Sequence, residues 1–407
     1  MNIAISIRRL NIRGGAQRMV AYAAKEWRAA GHRVEIYTFF YDKEECYPEI
    51  LKDFKVIVAD EPAVIRMRTY SGKGGFIGFF QNFITENQAA RNLALKISPD
   101  TDILHPHDQL VYRTVRYFKK EVRKIPAVWM LDDMTTKKHS LLRNSQFDKT
   151  LKASPLKRVW YWFVDALDYY LFLRYIDSIA VVDTRDRVWA IEAYGKPTRI
   201  VRNGLDASEF PFRQRPGIRD KKINLLAVAL LLPHRRFEDT ILAVPYLERR
   251  GFSVSLTIIG APMDAAYFER LQALVAEQHL EQAVRFLGKV SHEVLLESFR
   301  TADMFVFPAH LQSWGLAIFE AMSMGLPVIV SETTGASEVL ENGVTAMLVP
   351  PFSPQKIAEA AERLADPSLY QKISTNGRAF VEKEISWDRY ARELMEMFEE
   401  AKTTYGQ

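Results

Sequence analysis

The sequence predicts an α/β protein built on parallel sheets. Two observations carry that reading. Residues 304–338 run apolar strand, loop, apolar-periodic helix, strand, which is the βαβ unit of a parallel sheet. The same alternation of short apolar runs and helical patterns recurs along the chain, and its 407 residues suit two or three domains.

The elements follow in order. Residues 2–7 form an apolar strand, 8–15 a basic loop ending in Gly14-Gly15, 16–30 a helix closed by Gly31, and 33–39 the next strand. A further strand is expected at 56–59. Residues 66–70 and 74–80 mix basic, glycine and aromatic residues, which suits a core helix with a glycine-rich lead-in or an acceptor or membrane-surface loop. A strand ends at His105, followed by Pro106-His107-Asp108, and another spans 127–131, followed by Asp132-Asp133. Polar groups just past a strand's carboxyl end sit where open α/β sheets bind ligands. His105 and His107 lack a third ligand for a metal. Asp132 suits either a proton acceptor or a helix cap.

Residues 156–176 read as an aromatic-rich helix, too charged to span a bilayer, either packed into its domain or resting on a membrane surface. A strand follows at 178–182. Asn203-Gly204 marks a turn, and 210–222 is polar enough for a linker. The second half repeats the alternation, with strands at 223–231, 253–260, 284–287, 304–307 and 326–330. Helices are expected from 239 to 250 and at 267–279, 295–302, 316–324, 357–364, 371–383 and 387–402.

The loop ahead of the 316–324 helix offers the clearest chemistry. Ser313-Trp314-Gly315-Leu316 opens that helix, where unpaired N–H groups and the positive dipole end favour an anion. Glu320 lies about one turn on and is able to accept two hydroxyl hydrogen bonds. Phosphate on the amides and a diol on the carboxylate is the pairing a nucleotide needs; a plain βαβ turn with a solvated Glu is the alternative.

Composition sets outer limits. A 48% hydrophobic content supplies an ordinary globular core, and no apolar run is long enough to cross a membrane. The N-terminus lacks a secretion signal pattern. One cysteine, Cys46, excludes an intrachain disulfide framework and fits a reducing cytosol. The formal charge of +5 attracts phosphates in general, but no nucleic-acid motif is present and nucleic acid is not an expected partner.

The run from Gln312 to Val328 resembles the donor-site signature of the retaining GT-B glycosyltransferases of family 4 (glycosyl transferases group 1). The family pattern is Glu, seven residues, Glu, around a Gly-Phe-Gly-Leu-like core; here Gln312 and Glu320 bracket Ser313-Trp314-Gly315-Leu316. The continuation through Met324-Gly325-Leu326-Pro327, the Asn203-Gly204-Leu205-Asp206 run and Thr334-Gly335-Ala336-Ser337-Glu338 also resemble the family. It departs at Gln312, and at Leu230 and Arg235, which align with the family's diphosphate-binding Arg and Lys.

The resemblance implies a GT-B fold, two Rossmann-like α/β domains with parallel sheets facing across a cleft. Residues 1–205, completed by a C-terminal helix at 387–404, would bind acceptor; residues 206–386 would bind the nucleotide-sugar donor. It implies a retaining, hexosyltransferase-like enzyme moving sugar from a UDP- or GDP-sugar to a hydroxyl of a glycan, glycolipid or related cell-surface precursor, as in polysaccharide biosynthesis. No cofactor or metal is required. Glu320 would hold the ribose, Gly315, Leu316 and Arg235 the diphosphate with Arg236 beside them, and Gln312 the donor sugar, with Ser313 and Trp314 among the substrate-binding residues. Gly14 and Gly15 would face donor phosphates and acceptor, and Asp132 takes the place of a family His, with His107 nearby. The expected location is cytoplasmic, with peripheral contact at the membrane inner face left open. A nucleotide-sugar epimerase using His107 and Asp132, a catalytically degenerate sugar-nucleotide-binding subunit and a peripheral membrane scaffold are the alternatives.

Overall fold

The computed structural model describes residues 1–59, 75–132 and 154–405. The loop expected at 66–70, Gly74 and the run 133–136 lie outside the described residues. The chain divides into two compact units, Met1–Arg202 with Trp387–Gln407, and Asn203–Ser386.

In the first unit β1 (Asn2–Ile7), β2 (Arg33–Thr38), β3 (Lys55–Val58) and β4 (Ile103–Pro106) form a parallel sheet ordered β3-β2-β1-β4. Parallel bridges Leu104 to Ala127 and His107 to Met130 carry it into β5 (Val128–Met130), β6 (Ser178–Val181) and β7 (Thr198–Ile200). The inner strands are short apolar runs buried on both faces, as a helix-covered parallel sheet requires, while the edge strands β3 and β7 are partly exposed. The covering helices are α1 (Gly15–Ala29), the short α2 (Pro48–Leu51), α3 (Gly75–Lys96), α4 (Arg113–Glu121), α5 (Pro155–Leu171) and α6 (Thr184–Tyr194). The helix expected over 156–176 stops at Leu171, and a separate 3-10 turn, Leu173–Tyr175, follows.

In the second unit β8 (Lys222–Val228), β9 (Ser253–Ile259), β10 (Val284–Gly288), β11 (Met304–Phe307), β12 (Val328–Ser331) and β13 (Met347–Val349) form one parallel sheet ordered β10-β9-β8-β11-β12-β13. Around it lie α7 (Phe237–Glu248), α8 (Ala265–Glu277), α9 (His292–Thr301), α10 (Leu316–Ser323), α11 (Pro354–Arg363) and α12 (Pro367–Glu384). Ile223, Leu225, Leu256, Ile258, Met304, Val306 and Ile329 are buried against Ile241, Val244 and Ile357 of the helices. In both sheets the order reverses beside the first strand, the doubly wound arrangement.

The last helix, α13 (Trp387–Tyr405), completes the first unit. Trp27 of α1 donates its indole N–H to the Ala391 carbonyl at 3.0 Å, Tyr22 stacks on Trp387 at 5.0 Å, and Arg199 of β7 reaches Glu400 at 2.6 Å.

The segment expected as a linker is instead fastened to the second unit. Arg215, only 4% exposed, donates to the carbonyls of Phe299 (2.7 Å), Arg300 (3.2 Å), Ala302 (2.5 Å) and Met324 (3.3 Å). These lie at the carboxyl ends of α9 and α10, where helices leave acceptors unpaired. One guanidinium thus answers two helix ends, and its polarity marks an anchor rather than a free tether.

Candidate donor and acceptor sites

Open parallel sheets bind ligands outside the carboxyl ends of the strands, where the strand order reverses. In the second unit that point lies between β8 and β11, and the loops leaving these strands meet there. The His310 N–H donates to the His234 carbonyl at 2.7 Å, and the Gly335 N–H donates to the Gln312 carbonyl at 2.8 Å. Gln312, Ser313, Trp314, Gly315 and Leu316 therefore sit on one fixed loop beside Arg235 and Arg236.

The α10 entrance is built for a ligand's close approach. Gly315 is its N-cap, with φ 90° and ψ 66°; no side chain caps the helix and its first turn holds no acid. A Cβ at Gly315 would lie 3.1 Å from the Phe307 ring and 3.2 Å from Ile318. The left-handed backbone and the absent side chain are therefore both required there. Beside it the Ser313 hydroxyl is buried without a hydrogen-bond partner among the described residues. Buried polar groups are rarely left so, and a missing partner points to a ligand. Glu320 is not the solvated carboxylate of a plain turn: it is 7% exposed, on the buried face of the helix with Ile318, Phe319 and Met322. Trp314 packs on Phe319, ring centroids 4.8 Å apart, and holds the loop against the helix.

The two arginines differ. Arg235 ends a 3-10 turn, Pro233–Arg235, and is half-buried. Arg236 is left-handed, φ 54°, and turns inward: its fork meets the buried Asp239 at 2.7 and 3.1 Å, and it meets Glu238 at 2.5 Å. Its guanidinium also lies 4.4 Å over the Phe352 ring, which packs on His310 at 4.7 Å. The Arg236–Phe352–His310 stack joins three distant loops and has no local sequence signal. Leu230, aligned with the family's Arg, ends the β8 side of the site as a 47% exposed leucine.

In the first unit the reversal lies between β1 and β4. Gly14 caps α1 with extended backbone, and Gln17 reaches back to the Arg9 carbonyl at 3.0 Å. A Cβ at Gly15 would meet nothing within 4 Å. His105 and His107 are fully buried, their rings edge to face at 4.4 Å. His105 Nδ1 lies 2.7 Å from the Val128 carbonyl, which orients the ring. His107 Nδ1 lies 3.7 Å from a carboxylate oxygen of Asp132. Burial pushes His107 down to about 3, so this ring is neutral near neutral pH. The buried Tyr390 of α13 joins them; burial, and then the nearby Asp132, hold its phenol protonated. The structure thus gathers His107, Asp132 and Tyr390, of which Tyr390 carries no sequence motif. The cap alternative for Asp132 concerns residues outside the described ones.

Comparison with known proteins agrees with this architecture. Residues 13–209 match the family described as Glycosyltransferase Family 4, and residues 208–380 the family described as Glycosyl transferases group 1. An uncharacterized glycosyltransferase of Methanocaldococcus jannaschii is 29% identical over 219 residues, 51% of this chain and 55% of the relative. A glycogen synthase of Mycobacterium tuberculosis is 29% identical over 204 residues, 50% of this chain and 48% of the relative. The chain thus spans about half the length of the curated relatives it matches. Among solved structures, Anabaena HepE in complex with UDP and glucose superposes with a TM-score of 0.70 at 18% identity, over 98% of this chain and 99% of that one. With two α/β units of parallel, doubly wound sheets and both halves matched, the chain belongs to the family 4 glycosyltransferases of the GT-B fold.

Proposed function

We propose that the chain transfers a sugar, with retention, from a nucleotide-diphosphate sugar to a hydroxyl of a glycan or lipid-linked acceptor. The observation that carries this reading is the α10 entrance: an uncapped helix N-terminus, the left-handed Gly315, a buried Ser313 hydroxyl lacking a partner among the described residues, and a buried Glu320. The amides at Gly315 and Leu316 take the diphosphate, helped by Arg235. Their fixed positive charge offsets what develops on the leaving group. Glu320 accepts from the ribose diol, and Gln312, Ser313 and the Trp314 backbone orient the sugar. Arg236, paired with Asp239 and Glu238, shapes the loop.

On the acceptor side we assign Gly14 and Gly15 to the loop the substrates approach, and Asp132 to the acceptor hydroxyl. Neutral His107 lies beside the Asp132 carboxylate, its Nδ1 3.7 Å from one oxygen. The leaving phosphate is the base in a front-face displacement, so no protein nucleophile is needed. UDP in the HepE complex makes a uridine donor the first to try.

The test is calorimetry with UDP, GDP, ADP and their sugars on wild type and Glu320→Ala. Each hydrogen bond to a charged group contributes roughly 1.5–3 kcal/mol, so losing two weakens binding by roughly 100-fold or more. Equal affinity in both proteins refutes the site assignment.

A further inference from the structure

We infer that Tyr390 of α13 positions the Asp132 carboxylate for the acceptor hydroxyl, its phenol O–H donating to that carboxylate when the acceptor docks. The inference rests on the transferase reading above and adds a residue to it. Tyr390 is 0% exposed, and its hydroxyl has no hydrogen-bond partner among the described residues. Its ring is fixed from two sides. Trp387 meets it edge to face, centroids 5.5 Å apart, and itself stacks on Tyr22. The next residue, Ala391, accepts the Trp27 indole N–H at 3.0 Å. A phenylalanine would fill the same space without burying a hydroxyl, so packing alone does not account for a tyrosine here.

The Asp132 carboxylate lies near enough to act on this phenol. Of the three gathered groups Asp132 alone reaches solvent, its side chain 11% exposed while His107 is fully buried. Asp132 therefore meets substrate, and the two buried groups act through it. His107 Nδ1, at 3.7 Å from a carboxylate oxygen, is too far for a made hydrogen bond. Long contacts of this kind tighten when substrate docks. Burial keeps the phenol protonated, so Tyr390 is a donor across the working pH range. With that donor on one oxygen, the carboxylate stays ionised and its other oxygen is turned to accept from the acceptor hydroxyl. In the transfer the acceptor oxygen bonds the anomeric carbon of the sugar. The bond from that carbon to the diphosphate oxygen breaks, and the acceptor proton leaves on the diphosphate. Tyr390 keeps its proton throughout and is a positioning residue.

The experiment compares the full chain as wild type, Tyr390→Phe, Asp132→Asn and the double variant, with a melting curve for each. Release of nucleoside diphosphate from UDP-, GDP- and ADP-glucose is measured with water in the acceptor's place, alongside calorimetric affinity for UDP, GDP and ADP. Tyr390→Phe is expected to lower kcat about tenfold or more at unchanged KM, the loss of one hydrogen bond to a charged group. In the Asp132→Asn background it should change the rate by less than about twofold, because the two residues act as one unit. Nucleotide affinity should be the same in all four proteins. A second readout needs no turnover. In protein labelled with 13C at the tyrosine ζ-carbon, the Tyr390 resonance, assigned by its loss in Tyr390→Phe, should shift in Asp132→Asn. An unchanged kcat in Tyr390→Phe, equal losses in both backgrounds, or a Tyr390 resonance indifferent to Asp132 overturns the inference and leaves the nucleotide site standing. Wild type that binds none of the three nucleotides refutes the transferase reading, and the inference falls with it.

Discussion

Replacing Gly315 and Gly15 by alanine should have opposite consequences, although each glycine opens a helix after a strand. At Gly315 the backbone has φ 90°, and a Cβ would lie 3.1 Å from Phe307 Cε1 and 3.2 Å from Ile318 Cδ1. A left-handed non-glycine residue costs about 1–2 kcal/mol. Crowding two buried side chains, Phe307 in β11 and Ile318 in α10, adds a comparable amount, since cores resist even small overpacking. The total is about 2–4 kcal/mol. For a unit of this size each kcal/mol moves the melting temperature by roughly 2–4 °C, so a fall of roughly 4–16 °C is expected. At Gly15 nothing lies within 4 Å of the added carbon. Alanine there should leave stability unchanged or raise it by up to about 1 kcal/mol, through the less flexible unfolded chain. The assay is thermal melting with and without UDP. Gly315→Ala should also shift the α10 N-terminus and reduce the UDP-induced rise. If Gly315→Ala melts as wild type does, the loop conformation on which the site rests is wrong.

Ser313→Ala should separate stability from binding. The hydroxyl is buried without a partner among the described residues, so its removal should be neutral or stabilising by about 1 kcal/mol in the protein alone, yet calorimetry should show weaker nucleotide-sugar binding. His107→Asn tests the buried imidazole. The folded pKa of about 3 lies below the ordinary 6.5, so between these values the unfolded chain binds a proton that the folded chain does not. Stability owed to this ring is therefore full above pH 6.5 and falls as pH drops toward 3, by up to about 1.4 kcal/mol per pH unit. Urea unfolding of the variant between pH 4.5 and 7.5 should show a shallower acid loss than wild type; parallel curves would count against a buried neutral His107. Arg236→Ala should cost about 2–4 kcal/mol by leaving the buried Asp239 carboxylate without its fork, and adding Asp239→Ala should recover part of the loss in the same unfolding measurement.

Much of the fold is legible in local pattern. The strand–loop–helix–strand over β11, α10 and β12 follows from two apolar runs, one helical period and the Gly325–Pro327 stop, and the structure places these elements within a residue or two. Three helices, the short α2 and the longer α4 and α6, stand outside the expected elements. For α6 the signals were present: Asp183 caps it, accepting from the Asp186 N–H at 2.6 Å, and Gly195 ends it in the left-handed conformation. For α4 they are weak, because it is short, starts at Tyr112 without a side-chain cap and buries only a few residues. The linker reading failed for a different reason. Arg215 looks solvated by type, and only the helix ends it meets, more than 80 residues on, turn it into a buried anchor.

The sequence by itself determined the alternation of strands and helices, the glycine that opens α10 and the chemical types gathered around it, since each depends on neighbours within a turn or two. Tertiary structure decided the strand order of both sheets, the return of α13 onto α1, and the polarity of α5, whose apolar stripe faces outward. It also decided which candidates meet. His107 and Asp132 come together because β4 and β5 are neighbours, and Tyr390 joins them from a helix over 250 residues later. Arg236 is drawn to Asp239 and Phe352. The physical reason is the same in each case: backbone propensity and periodicity act locally, whereas burial and charge pairing depend on which distant surfaces the closed sheets bring into contact.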